Sequence, residues 1–235
     1  MTSPTQPSQA QAAPTDLRVV LPREWWFIPL DDAQRRDSVI AAIVDKQYAG
    51  LDDQPLAKAE ARKALGRNAL RATELGGRRM AYSLMSLAGL PLSATMTLFW
   101  HDLGAPYGAD HLVDLYSSFL TEQAEEADDH EQALAAGRPV PQGPEVALAR
   151  AEVAAGPVLR RVTRATGGDD LGTGLPAYDD AATVPILLAE YWLLVPGGQG
   201  LAQLSFSTGL VAWSEQLLEF FDAVVGTASW ARPAH

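Results

Sequence analysis

The chain has 235 residues, with 18 Lys plus Arg against 29 Asp plus Glu, a formal charge of −11, 47% hydrophobic residues and no cysteine. A net anion of this size repels the phosphate backbone, which excludes a general nucleic-acid binder. The missing cysteine removes disulfides, thiolate metal sites and cysteine nucleophiles. Length and apolar fraction predict one domain over residues 17–235.

Residues 1–16, MTSPTQPSQAQAAPTD, hold no basic residue and no apolar run. They predict a disordered tail rather than a secretory signal. Leu17–Val20 and Trp26–Leu30 read as short extended segments divided by Pro22. Asp31-Asp32 supplies an N-cap for a first helix reaching about Ala49, in which Val39, Ile40, Ile43 and Val44 recur at helical spacing. Pro55 opens a second helix and Gly76-Gly77 ends it, with Ala61, Leu65, Ala69, Ala72 and Leu75 toward the core.

Period two then takes over. Arg79–Leu90 and Leu92–His101 predict a strand pair turning at Gly89-Leu90-Pro91. The second strand places Leu92, Ala94, Met96, Leu98 and Trp100 on one face and Ser93, Thr95 and Thr97 on the other. A third helix runs from Asp110, read as its N-cap, to about Ala136, with Leu112, Leu115, Tyr116, Phe119 and Leu120 on its apolar side. Gly137–Pro144 is a connector. Val146–Ala155 and Val158–Thr166 predict a hairpin, Gly167–Asp180 a loop, and Thr183–Val195 with Gly200–Thr208 the clearest hairpin. The apolar stretch Val184–Val195 is interrupted by Pro185 and Glu190. It falls short of the ~20 residues of a bilayer-spanning helix, so it reads as a buried strand in a soluble, cytoplasmic protein. A final amphipathic helix covers Val211–Ala228. Adjacent hairpins between helices predict the α+β class: a largely antiparallel sheet of about six strands packed with about four helices.

Charge is unevenly placed. Residues 17–100 hold 12 basic and 9 acidic side chains, whereas residues 101–144 hold 1 basic and 9 acidic. The second helix carries Lys63, Arg67 and Arg71 at four-residue steps, a basic stripe. The third carries Glu122, Glu125, Glu126, Asp128, Asp129 and Glu131 toward its C-terminal end, where acid opposes the helix dipole. Both stripes are candidate protein-contact surfaces; a solvated face, or pairing of the two helices with each other, is the plainer reading.

Signatures of catalysis are missing: no phosphate loop, no dinucleotide-binding glycine pattern, no His-Glu-x-x-His and no Gly-x-Ser-x-Gly occur in the chain. One constellation stands out. His101-Asp102 at a strand end and Asp110-His111 with Asp114 at a helix start would offer a metal or a general base if they converged. Against this, the same residues serve as an N-cap and loop polar groups. Trp25 and Trp26, adjacent on a strand, point to opposite faces, and such aromatics read as core or interface.

Three C-terminal segments carry a resemblance: Tyr191-Trp192-Leu193-Leu194-Val195-Pro196-Gly197, Leu204-Ser205-Phe206-Ser207-Thr208, and Glu215–Trp230 containing Phe221-Asp222-Ala223. With Trp25-Trp26-Phe27-Ile28-Pro29-Leu30 and Arg35-Arg36, they resemble uncharacterised actinobacterial proteins associated with type VII (ESX-like) secretion genes. An excess of Arg over Lys and a single asparagine, Asn68, agree with a GC-rich genome. The resemblance implies a PsbP-like α/β/α sandwich and no catalytic motif, and the lipobox cysteine of the lipoproteins with that fold is missing. The expectation is therefore a non-enzymatic accessory or adaptor protein acting through a protein partner, with no cofactor, nucleic acid or membrane insertion. Two other readings stand beside it: a metal- or small-molecule-binding protein or enzyme using His101–Asp114, and an immunity-like inhibitor of a basic toxin.

Overall fold

A computed structural model describes residues 14–50, 54–87, 89–104, 110–136, 145–166, 185–197 and 200–231. The elements in chain order are β1 (Asp16–Arg18), β2 (Trp25–Ile28), α1 (Ala33–Gln47), α2 (Pro55–Glu74), β3 (Gly77–Ser83), β4 (Ser86–Leu87), β5 (Leu90–Pro91) and β6 (Ala94–Asp102). They continue with α3 (Asp110–Ala135), β7 (Glu145–Val153), β8 (Gly156–Thr166), β9 (Pro185–Leu194), β10 (Gly200–Thr208), α4 (Ser214–Gly226) and β11 (Ser229–Ala231). Seven strands form one antiparallel sheet in the order β2-β3-β6-β10-β9-β8-β7, and β1 pairs with β11 beside it. The class is α+β.

Local chemistry sets the helix ends. Asp32 caps α1, its Oδ1 accepting from the Arg35 backbone N–H at 3.0 Å. Pro55 stands in the first turn of α2, and Gly76 follows its end with a φ of +77°. The next residue, Gly77, lies so close to the helix that a Cβ there would come within 2.6 Å of the Ala72 carbonyl oxygen. That contact joins the end of α2 tightly to the start of β3.

Strand alternation divides the helices between two faces of the sheet. Met96 and Leu98 of β6 share a face with Leu204 and Phe206 of β10 and Tyr191 of β9. There α4 buries Leu217, Phe221, Val224 and Val225, with the Phe206 and Phe221 rings stacked at 4.6 Å. Each such side chain contributes roughly 1.5–3 kcal/mol of burial before chain entropy is counted. On the opposite face α1 and α2 cover the β2–β3 end, where Ile40, Ile43, Leu65, Ala69 and Ala72 pack on Ile28, Met80 and Tyr82. The first half of α3 covers the other end, setting Leu112, Leu115, Tyr116 and Phe119 against Leu159, Trp192 and Leu201.

Several expectations need correction. The predicted strand Arg79–Leu90 ends at Ser83, and the chain then makes a small β4–β5 hairpin before β6. The expected antiparallel sheet of about six strands is present, its seventh strand being the short Trp25–Ile28 segment that pairs as its edge. Asp16 belongs to β1 rather than to the tail, since β1 pairs with β11, a strand that the alternation pattern is too short to reveal. Asp110 begins α3 as the sequence predicts, standing within the first turn rather than as its cap. Leu120, assigned to the apolar side, is 44% exposed. The tail before residue 14, Gly137–Pro144 and Gly167–Asp180 lie outside the described residues.

Candidate functional site

The long third helix owes its placement to a polar tie in the sheet beneath it. Glu190 sits in the middle of the apolar strand β9 and is buried. Its Oε2 accepts from Arg161 Nε at 2.9 Å, and its Oε1 accepts from Gln203 Nε2 at 2.8 Å. An ionised carboxylate only accepts, so Gln203 turns its amide group toward Glu190 and its oxygen toward His101. His101 Nε2 then donates to Gln203 Oε1 at 2.8 Å. Burial raises the Glu190 carboxyl above its ordinary value, and the Arg161 charge works against that rise. Both carboxylate oxygens hold a donor, which makes the group a fixed anchor instead of a free base.

Arg161 passes this anchorage to α3. Its guanidinium lies 4.5 Å from the Phe119 ring centre and 5.5 Å from that of Trp192, and the two rings are themselves 5.2 Å apart. Arg150 covers Tyr116 at 4.1 Å, and Gln123 Nε2 donates to the Val146 carbonyl of the edge strand β7 at 2.8 Å. Beyond Gln123 the described side chains of α3 are exposed as far as Gln132. Six acidic residues, Glu122, Glu125, Glu126, Asp128, Asp129 and Glu131, are exposed there, and none makes an ion pair among the described residues. Val113 and Leu120, both 44% exposed, continue into exposed Ala124 and Ala127 at steps of seven, four and three residues. Those steps keep all four on one line of the helix. An uncovered apolar line therefore runs along the helix, bordered by Asp128 and Glu131, while Glu122, Glu125, Glu126 and Asp129 lie further round its exposed surface.

The basic stripe on α2 is only partly free. Arg71 pairs with Glu74 in its own helix at 3.4 Å, and the neighbouring Arg62 pairs with Asp45 of α1 at 2.6 Å. Lys63 and Arg67 are exposed and have no ion pair among the described residues. The stripe and the acidic run sit on helices packed at opposite ends of the same sheet face.

Among the described residues no group of three or more His, Asp and Glu side chains is placed to hold a metal ion. His101 is committed to Gln203, and Asp102 Oδ1 accepts from the Gly104 backbone N–H at 2.9 Å. Asp110, His111 and Asp114 occupy the first turns of α3. Trp25 and Trp26 do point to opposite faces: Trp25 packs on Phe206 and Phe220, and Lys46 lies over Trp26. What the sequence reading missed is the Arg161–Glu190–Gln203–His101 chain. Its one sequence signal was a glutamate interrupting an apolar strand.

No protein-family model matches this chain, and no curated protein matches it. None of the helices among the described residues is long and apolar enough to cross a membrane.

Proposed function

We propose that this protein is a non-enzymatic adaptor that docks a basic, amphipathic protein segment on the exposed side of α3. The observation that carries the reading is the uncovered line Val113–Leu120–Ala124–Ala127, bordered by Asp128 and Glu131, on a helix whose six C-terminal carboxylates have no ion pair among the described residues. Apolar contact would supply affinity, and the carboxylates would select a basic partner and speed its approach. The tie through Arg161 supports this reading because it fixes the packed half of the helix while leaving the acidic half uncovered.

The reading is tested with three synthetic peptides: a Lys/Leu amphipathic helix, the same helix with Glu for Lys, and a Lys/Ser peptide of equal charge without the apolar face. Fluorescence anisotropy should show salt-sensitive binding of the Lys/Leu peptide alone, weakened by Leu120→Ser. Equal binding of the Lys/Ser peptide would reduce the surface to unspecific charge and refute the proposal.

A further inference from the structure

Beneath α1 and α2, on the part of the sheet that α3 does not reach, lies a cavity of about 200 Å3. Its polar lining includes Gln47 of α1, Tyr48 just after that helix, Asn68 of α2, Tyr82 of β3, Thr95 of β6 and Ser207 of β10. Among the described residues no Asp, Glu, Lys, Arg or His lines it. Tyr82 donates its hydroxyl proton to Gln47 Oε1 at 2.9 Å, and Gln47 Nε2 donates to Ser93 Oγ at 3.1 Å, which locks the amide in one orientation. The Thr95 and Ser207 hydroxyls share a hydrogen bond of 2.7 Å on the floor. Asn68, the chain's single asparagine, is half-buried on the opposite wall, and its amide makes no hydrogen bond among the described residues. Val44 and Leu65 give the space an apolar side.

We infer that this cavity binds a neutral, polyhydroxylated small molecule of monosaccharide size. The volume equals roughly six or seven waters at about 30 Å3 each, and a ligand displacing them must return a similar number of hydrogen bonds. An amide with two donors and an acceptor, facing a hydroxyl pair, matches neighbouring hydroxyl groups on one ring. A charged ligand would lose its hydration here without meeting a counter-charge among the described residues. The apolar wall suits the C–H face of such a ring. This site is independent of the docking surface on α3 and stands or falls separately.

Saturation-transfer NMR on the full chain tests it, with D-glucose, D-galactose and myo-inositol as neutral probes and gluconate and glucosamine as charged counterparts. At millimolar concentration at least one neutral probe should receive saturation and both charged ones should not. Asn68→Leu should weaken that binding about tenfold, the cost of one unmade polar pairing. Asn68→Ala, which adds no bulk, should weaken it similarly, and thermal unfolding of each variant checks that it is folded. No transfer to any neutral probe, equal transfer to the charged ones, or unchanged transfer in folded Asn68 variants would overturn the inference.

Discussion

A single carboxylate at the centre of the sheet connects the interior to the proposed surface. Glu190 accepts from Arg161 and Gln203, and Arg161 in turn lies against Phe119 of α3. Removing one member of such a pair leaves the other desolvated, which costs more than the intact pair contributes. The pH dependence carries the same signature. Burial raises the Glu190 carboxyl above 4.5, so just above that pH the folded state holds a proton that the unfolded chain has released. The stability contributed by this group is therefore complete below 4.5 and is lost as pH rises through the raised value. Urea midpoints measured from below 4.5 to neutrality should show wild type minus Glu190→Gln falling with pH; a difference that grows with pH would contradict the buried placement. On the other face, Tyr191 donates to Asp222 at 2.8 Å, and burial with that neighbouring charge drives its phenol well above the ordinary range.

At the scale of elements, α3 is built against its own stability. Acidic side chains crowd its C-terminal half, where they repel one another and oppose the dipole. The variant E125Q/E126Q/D128N/D129N should consequently melt higher, by roughly 2–4 °C, because it removes a repulsion and breaks no ion pair. Scanning calorimetry reads this directly, and a lower Tm would mean that these carboxylates have a structural role. The helices and the β9–β10 hairpin were legible in the sequence because caps, prolines, glycines and apolar spacing act within a few residues. Leu120 was assigned to the wrong side since helical spacing alone does not say how far a neighbouring strand reaches. The Arg161–Glu190 pair was not legible: it needs the β8–β9 register, which places residues 29 positions apart side by side. Among the described residues the His101–Asp114 grouping forms no metal site, for a related reason. Both nitrogen and oxygen ligands were present in sequence, yet Gln203, about a hundred residues away, holds the histidine.

In the whole molecule, one sheet carries a closed face under α4 and a divided face, with α1 and α2 at one end and α3 at the other. The first and last strands pair as β1 and β11, where Leu17 is buried in the α4-side core and Trp230 Nε1 donates to the Ala155 carbonyl at 2.7 Å. Leu17→Ala should accordingly cost roughly 2–5 kcal/mol by chemical denaturation, as a core deletion does. A loss below about 0.5 kcal/mol, typical of an uninvolved surface position, would show that the terminal strand is not part of the core. This frame leaves the acidic half of α3 as a surface whose charge weakens the fold that bears it, a cost consistent with selection for binding. Isothermal titration of the Lys/Leu peptide into wild type and into E125Q/E126Q/D128N/D129N, at low and at physiological salt, tests that claim most directly. The predicted result is binding to wild type that weakens with salt and is lost in the variant, while the variant remains folded. Equal affinity for the two proteins, or no binding to wild type at low salt, would contradict it.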